Sequence, residues 1–439
     1  MTRDQESSQK SLIDLLCETL ISISQNHYQH IENPVKCSKR ASVALIIRTR
    51  PSFNHWPEDE INQSDSNIRS DIKKFFTLPW VQQGDPEIAF IKRAAREGDR
   101  WTNHVALPGG KRDLEDLDDK NVAIRETAEE IGLDLSLSDA LYIGNLPDRL
   151  VQTAWGTFPI MVLCPFVFLW TKATMPPLKL QPGEVASLHW VPLRTLLSPS
   201  SRTYQYVHTS DRFLQKGGIL SRIILRYTLG LMQFSAVRLL PSESLYCSST
   251  KEFFPKENLT KSEHKTSFIS KIIGQSSTKW NDSFSRNEPL LLWGLTLGIL
   301  VDFLNQLPPY NAIELWSYPT FTNYDARLII SILTISLKRR NKSLLRTHSS
   351  STDQSTIDTE IEEIPNKDFS FSTAQTSDQI KILHKYQLKN QSDVVGIMLD
   401  GYYDKVRRGA IIAISLRTIG ALSIMFVILK KYMKIKHTN

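Results

Sequence analysis

Cysteine is scarce in this chain of 439 residues, which has only Cys17, Cys37, Cys164 and Cys247. No two lie close enough in sequence for a zinc knuckle or a redox pair, and a disulfide-stapled miniprotein is excluded at this length. Isolated thiols in so long a chain point to a reducing compartment. A cleavable N-terminal signal is missing too, because Asp4, Glu6, Asp14 and Glu18 interrupt the first stretch before any apolar segment develops. Net charge is absent from most of the chain. The whole excess of +7 lies in residues 401–439, where eight Lys or Arg face Asp404 alone, so residues 1–400 sum to zero. A neutral body lacks the basic face that a nucleic-acid-binding domain needs, and no nucleic-acid partner is expected.

What is present is enough apolar material for a sizeable core: 41% of residues are apolar and 23% charged. At roughly 100–200 residues per domain the length allows two or three domains. In residues 10–25, Leu12, Leu15, Leu16, Leu20 and Ile23 fall near helical spacing, which predicts an amphipathic helix packed on the main domain. Residues 41–49 and 87–94 read as strands, as do 141–146, 158–170 and 185–191, with a short strand at 105–107. Residues 118–133 have helical periodicity through Val122, Ala123, Ile131 and Leu133, and helices are expected at 290–304 and 325–337. Residues 219–240 fit a strand or a helix equally well. Strands and helices mixed in this order favour an α/β sandwich. Polar insertions are expected at 51–75 and 241–288.

At residue 341 the composition changes. Over 341–380, 14 of 40 residues are Ser or Thr, which predicts a mostly disordered linker over 341–400. Residues 409–429 are then apolar apart from the single charge of Arg417, and a basic tail, 430–439, follows. As a helix rising 1.5 Å per residue the run would be about 32 Å long, enough to cross a bilayer's hydrocarbon. The expectation is a single-pass, tail-anchored protein with its catalytic domain facing the cytosol. The short basic tail resembles those of proteins sent to the mitochondrial outer or peroxisomal membrane.

The chemistry-bearing stretch is Pro108-Gly109-Gly110-Lys111-Arg112-Asp113, then Asp116, then Arg125 through Leu133. Pro-Gly-Gly ends a strand in a tight turn where backbone can approach a ligand closely. On a helix, Glu126, Glu129 and Glu130 stand at i, i+3 and i+4, so three carboxylates share one face. Like charges so placed repel unless a cation sits among them. Converging oxygen ligands suit Mg²⁺ or Mn²⁺, and Mg²⁺ combines a few carboxylates with substrate phosphates. The natural reading is metal-assisted attack of water on a phosphate anhydride.

These residues resemble the Nudix box: Gly, five residues, Glu, seven residues, then Arg-Glu-apolar-any-Glu-Glu-any-Gly-apolar. The second half matches at Arg125–Leu133, with Thr127 in an apolar slot. The first half departs, with Asp116 in place of Glu and eight residues between it and Arg125. That extension resembles the subgroup that cleaves coenzyme A. Arg93-Ala94 and Arg96 upstream, Glu184-Val185, Val191-Pro192-Leu193 and Trp293-Gly294-Leu295-Thr296 resemble further landmarks of it, although Leu107 stands where that subgroup has Phe.

The resemblance implies a Nudix-type α/β/α sandwich with a mixed sheet over residues 40–340, preceded by a lead-in, 1–39. It implies Mg²⁺ or Mn²⁺ bound by Glu129, Glu130 and Glu126 with the Gly110 carbonyl. Glu126 would be a ligand or the general base, and Arg125 would orient the carboxylates. Asp113, Asp116 and Glu184 are secondary candidates, while His104 and Trp101 read as packing residues. The implied activity is hydrolysis of a diphosphate linkage in a nucleoside diphosphate derivative, coenzyme A or acyl-CoA first. The alternative is a catalytically inactive Nudix-like nucleotide-binding protein tethered to a membrane.

Overall fold

The computed structural model describes residues 11–34, 37–57, 67–96, 101–152, 158–208, 228–248, 289–308, 312–351 and 394–438. It divides into two units, residues 1–324 and 325–439.

In the first unit α1 (Leu12–Gln25) starts at Ser11, whose hydroxyl accepts from the Asp14 amide while the Asp14 carboxylate reaches back, a reciprocal capping box. Then come β1 (Arg40–Arg50), α2 (Ile68–Thr77), α3 (Pro79–Gln82), β2 (Asp85–Arg93), β3 (Val105–Ala106), β4 (Gly109–Lys111) and α4 (Asp119–Ile131). They are followed by β5 (Ala140–Asn145), β6 (Arg149–Gln152), β7 (Pro159–Trp170), β8 (Val185–Pro192), α5 (Leu193–Leu197), β9 (Arg202–His208), β10 (Leu231–Arg238) and β11 (Glu243–Tyr246). The unit closes with β12 (Leu291–Trp293), α6 (Gly294–Leu304) and β13 (Thr320–Phe321).

The main sheet runs β11-β8-β2-β1-β7-β5, with β3 on β2, β4 on β1 and β6 on β7. Among the described residues only β1 and β7 pair in parallel, from Arg40↔Val162 to Arg48↔Trp170, so the sheet is mixed as expected. Strand alternation splits the side chains between two faces. Ala44, Ile46, Ala89, Ile91, Phe166 and Phe168 form one core with Ala123 and Ile131 of α4. The other face carries Leu45, Ile47 and Phe90, all fully buried. There α1 lies so close to β5 that a Cβ on Gly144 would sit 3.0 Å from the Ile23 carbonyl. Leu16, Leu20 and Ile23 of α1 are buried, each such side chain contributing about 1.5–3 kcal/mol.

A second, four-stranded sheet, β12-β10-β13 with β9 on β10, completes the unit. The buried Arg149 of β6 bonds the Gly298 carbonyl and the Asp302 carboxylate, tying α6 to the main sheet.

Several expectations are corrected in detail. The insertion at 51–75 contains the start of α2, because Asn67 caps it and Ile72, Phe75 and Phe76 bury one face. The insertion at 241–288 begins with β11, a strand paired to β8 from Glu243↔Trp190 to Tyr246↔Ser187, while 249–288 lie outside the described residues. The ambiguous 219–240 contain β10, whose residues pair on both sides; 219–227 are not among the described residues. Residues 291–293 are strand β12 rather than helix, which starts at Gly294.

In the second unit α7 (Tyr324–Ser351) is followed by α8 (Val394–Leu399) and α9 (Tyr402–Thr438). Helix therefore continues eleven residues into the expected linker, whose part at 352–393 lies outside the described residues. The reason is Asn341: fully buried, its amide donates to the carbonyls of Met398 and Asp400 at 3.0 and 3.1 Å. Arg340 adds an ion pair to Asp400 at 2.7 Å. The apolar run 409–429 is the middle of α9. By length and composition one stretch, Val394–Met433, is long and apolar enough to cross a membrane.

Candidate active site

The Pro-Gly-Gly segment is β4, hydrogen-bonded to β1 with Val43↔Gly109 and Ser42↔Gly110. Gly109 has φ +144, and a Cβ there would collide with the Ser42 carbonyl, so only glycine fits. A Cβ on Gly110 would collide with the Glu126 carboxylate, so the missing side chain lets that carboxylate rest against backbone. The loop then turns into α4, whose first turn is capped by Asp118 accepting from the Asn121 amide at 2.7 Å. Gly132 ends the helix in the left-handed region at φ +74.

This frame gives the three glutamates different surroundings. Glu130 is buried, and its Oε2 accepts from the Gly109 amide at 2.8 Å. Its Oε1 is 3.9 Å from Arg93 Nη1. Burial pushes its carboxyl up to about 8, against the Gly109 hydrogen bond and the Arg93 charge, which favour the anion. Glu126 is largely buried and also raised by burial, while Arg125 opposes the shift and Glu129 adds to it. Glu129 stands half in solvent. Glu184, on the turn before β8, adds to the raised values of both Glu126 and Glu130, so a fourth carboxylate borders the cluster.

Arg125 holds the arrangement together. Its Nε and Nη2 donate to the two oxygens of Asp116 at 2.9 and 2.9 Å, a two-pronged, charge-assisted pair. Nη1 reaches Glu129 at 3.1 Å and Nη2 the Lys111 carbonyl at 3.1 Å. Asp116 also accepts from the Asp113 amide at 2.8 Å, and its carboxyl is held below the usual range first by the Arg125 hydrogen bonds. Arg112 donates to the Asp116 and Leu117 carbonyls at 3.3 and 3.2 Å, and to Asp119 at 3.1 Å.

Arg125 thus lies against Glu126 and Glu129, the Glu126 carboxylate rests against Gly110, and Glu130 bonds the neighbouring Gly109 amide. Asp116 belongs with them as the partner that orients Arg125, whereas the Asp113 side chain is mostly exposed and 3.7 Å from Arg125. His104 packs against the Trp293 ring at 4.9 Å between centroids, while Trp101, whose carbonyl accepts from the His104 amide, is exposed rather than packed. Arg93 and Arg96 were legible only as landmarks. In the structure Arg93 faces Glu130 and Arg96 lies 3.8 Å from Glu184. Arg93 ends β2, whose neighbour β3 leads into the Gly109 strand, and that adjacency shows only after folding.

A donor set made only of oxygens, with a buried carboxylate raised by desolvation, fits a hard divalent cation. Glu126, Glu129 and Glu130 are the residues that could hold it, with the Gly110 backbone at hand.

The NUDIX domain model matches residues 77–212. An uncharacterized protein of Schizosaccharomyces pombe is 34% identical over 302 residues, covering 67% of this chain and 75% of that protein. Nudix hydrolase 15, mitochondrial, of Arabidopsis thaliana is 33% identical over 119 residues, 27% of this chain and 39% of that one. Nudix hydrolase 22, chloroplastic, of the same plant is 32% identical over 157 residues, 35% of this chain and 48% of that one. The chain thus spans less than half the length of these two plant relatives.

Proposed function

From the premise that this chain belongs to the Nudix hydrolase family, a family of pyrophosphohydrolases, we propose that it hydrolyses the diphosphate linkage of a nucleoside diphosphate derivative with Mg²⁺ or Mn²⁺. Coenzyme A and its acyl derivatives are the substrates to try first, because of the lengthened spacing between Asp116 and Arg125 and the Arg93-Ala94, Arg96 and Trp293-Gly294 landmarks. The observation that carries the reading is the Glu126 carboxylate against Gly110 and the Glu130 carboxylate on the Gly109 amide, with Arg125 clamped by Asp116 and reaching Glu126 and Glu129.

Glu129, Glu130 and Glu126 would hold the cation, with the Gly110 carbonyl beside them. When bound it would supply Lewis-acid polarisation of the phosphoryl oxygens and a more acidic water. Glu130 is locked by the Gly109 amide, so its carboxylate stays fixed through the reaction. Glu126, largely buried and raised in pKa, accepts the proton of the attacking water. Arg125 keeps Glu126 and Glu129 in register, at 3.3 and 3.1 Å. The water oxygen bonds to phosphorus, the bridging P–O bond breaks, and two phosphate-terminated products leave. Arg93 and Arg96 offer positive charge at the rim for the substrate's remaining phosphates.

We further propose that α9 tethers the enzyme to a membrane with the catalytic unit facing the cytosol. A panel of coenzyme A, acyl-CoA and dinucleotides, incubated with either metal and resolved by mass spectrometry, tests the activity. Paired phosphate-terminated products from one member support it. Tight binding of every member without cleavage would favour the inactive binding protein instead.

A further inference from the structure

The apolar run of α9 is not uniform. One face of the helix up to Ala413 is packed, with Tyr402, Val406, Ala410 and Ala413 buried at helical spacing, while Ile411, Ile412 and Leu416 on the other face are exposed. A Cβ on Gly409 would lie 2.6 Å from Ile330 and 3.4 Å from Leu333 of α7, so small residues let these two helices approach closely. The pairing is antiparallel. At one end Asn341 of α7 bonds the Met398 and Asp400 carbonyls. At the other, Arg417 of α9 grips both oxygens of Asp325, with Nε at 2.7 Å from Oδ2. Beyond Arg417 all sixteen side chains of residues 418–433 are exposed, Leu422, Phe426, Val427 and Ile428 among them.

Asp325 is short of chain. Two residues before it, the Asn323 side chain donates to the Thr228 carbonyl at 2.9 Å, and the Thr322 amide is bonded to Leu231, both within the unit proposed above to face the cytosol. Two residues span at most about 7 Å. Asp325 therefore cannot travel to the middle of a bilayer, and neither can Arg417 while it remains bound to it.

We infer that Arg417 marks the headgroup level and that residues 418–433 alone enter the hydrocarbon, the α7–α9 hairpin staying outside it. This rests on the membrane tether proposed above and revises its register, since the sequence placed Arg417 near the middle of a span at 409–429. Sixteen residues give about 24 Å of helix, short of the roughly 30 Å of a typical hydrocarbon core. The stems of Lys430 and Lys431 extend the reach by carrying their ammonium groups to the far headgroups, and a short span suits a thin bilayer. The occupant of this bare helix is thus a lipid bilayer with anionic headgroups, matched by Lys430, Lys431, Lys434 and Lys436.

The test uses full-length chains carrying Ile412→Cys or Val427→Cys, both at exposed positions. Each is reconstituted into phosphatidylcholine–phosphatidylserine vesicles and treated with a membrane-impermeant maleimide. Peptide mass separates the new thiols from the four native ones. Cys at 427 loses its labelling on reconstitution, while Cys at 412 labels as in detergent. Loss at both positions would overturn the register and leave the tether standing. Labelling at both, with the chain failing to float with the vesicles, would overturn the tether and the register together.

Discussion

Asp116→Asn is the perturbation that separates the architecture of the site from its charge count. The wild-type carboxylate is almost fully buried and receives Nε and Nη2 of Arg125 at 2.9 and 2.9 Å and the Asp113 amide at 2.8 Å. A hydrogen bond to a charged group contributes about 1.5–3 kcal/mol. Removing one partner of a buried pair costs about 3–5 kcal/mol. Arg125 keeps 29% of its side chain in solvent, and asparagine retains one acceptor, so water and the amide offset part of the loss. The expected destabilisation is about 2–3 kcal/mol. Arg125 also loses the anchor that aims it at Glu126 and Glu129, so turnover falls about 10- to 100-fold, as for other groups that orient ligands. Urea unfolding followed by tryptophan fluorescence is the assay, because all nine Trp precede residue 325 and report the catalytic unit alone. Asp116→Glu, which restores the carboxylate, recovers most of the stability. An unchanged midpoint and unchanged turnover in Asp116→Asn would refute the clamp.

Three further outcomes are expected. Mn²⁺ raises the urea midpoint of the wild type, since an ion bound only by the folded state stabilises it. Glu130→Gln gains less from the same concentration, and an equal gain would place the ion elsewhere. His189 is buried between the Ser187 and Ser244 hydroxyls at 2.8 and 2.8 Å, and burial, with Lys92 nearby, lowers its pKa to about 4. Its stabilisation is complete above the unfolded value of about 6.5 and is lost as pH falls toward 4, amounting to about 2 kcal/mol between pH 7 and 5. His189→Gln should flatten that part of the pH–stability curve measured by urea unfolding. A chain ending at Tyr324 should stay soluble and keep full turnover, because it stops where the first unit stops. Ending at Asn341 instead leaves Ile330 and Thr334 of α7 without the α9 residues that cover them, and should aggregate in a sedimentation assay.

The loop and helix around 108–133 were legible because their chemistry leaves little freedom. The glycines open strand β4 rather than a turn, but the positive φ and close approach to Ser42 still need Gly109, the Glu126 carboxylate needs Gly110 bare, and one helix face carries Glu126, Glu129 and Glu130. Asp116 was harder, since its part depends on where the lengthened loop folds back onto Arg125. Arg93 and Arg96 reach the carboxylates from another strand, and no periodicity encodes that. The second sheet was hidden because β10 is mostly buried on both faces, so its polar and apolar residues do not alternate cleanly, and β12 has three residues, too few to show alternation. Composition marked residue 341 as the start of a linker, yet one buried amide, that of Asn341, holds the helix together past it. The apolar run at 409–429 was read as one span because hydropathy does not show that Gly409 lies against α7 or that Arg417 has Asp325 as a partner.

The central claim is that the glutamates of α4 hold a divalent cation that enables cleavage of a diphosphate. The measurement that tests it most directly is a Mn²⁺ titration of coenzyme A hydrolysis by the wild type and by Glu129→Gln, with circular dichroism on both. Glu129 is half-exposed and packs no core, so the substitution leaves the fold unchanged. The account predicts saturable, EDTA-reversible hydrolysis in the wild type, lost in a variant with the same spectrum. Equal rates in the two proteins, or hydrolysis indifferent to Mn²⁺ and EDTA, would contradict it.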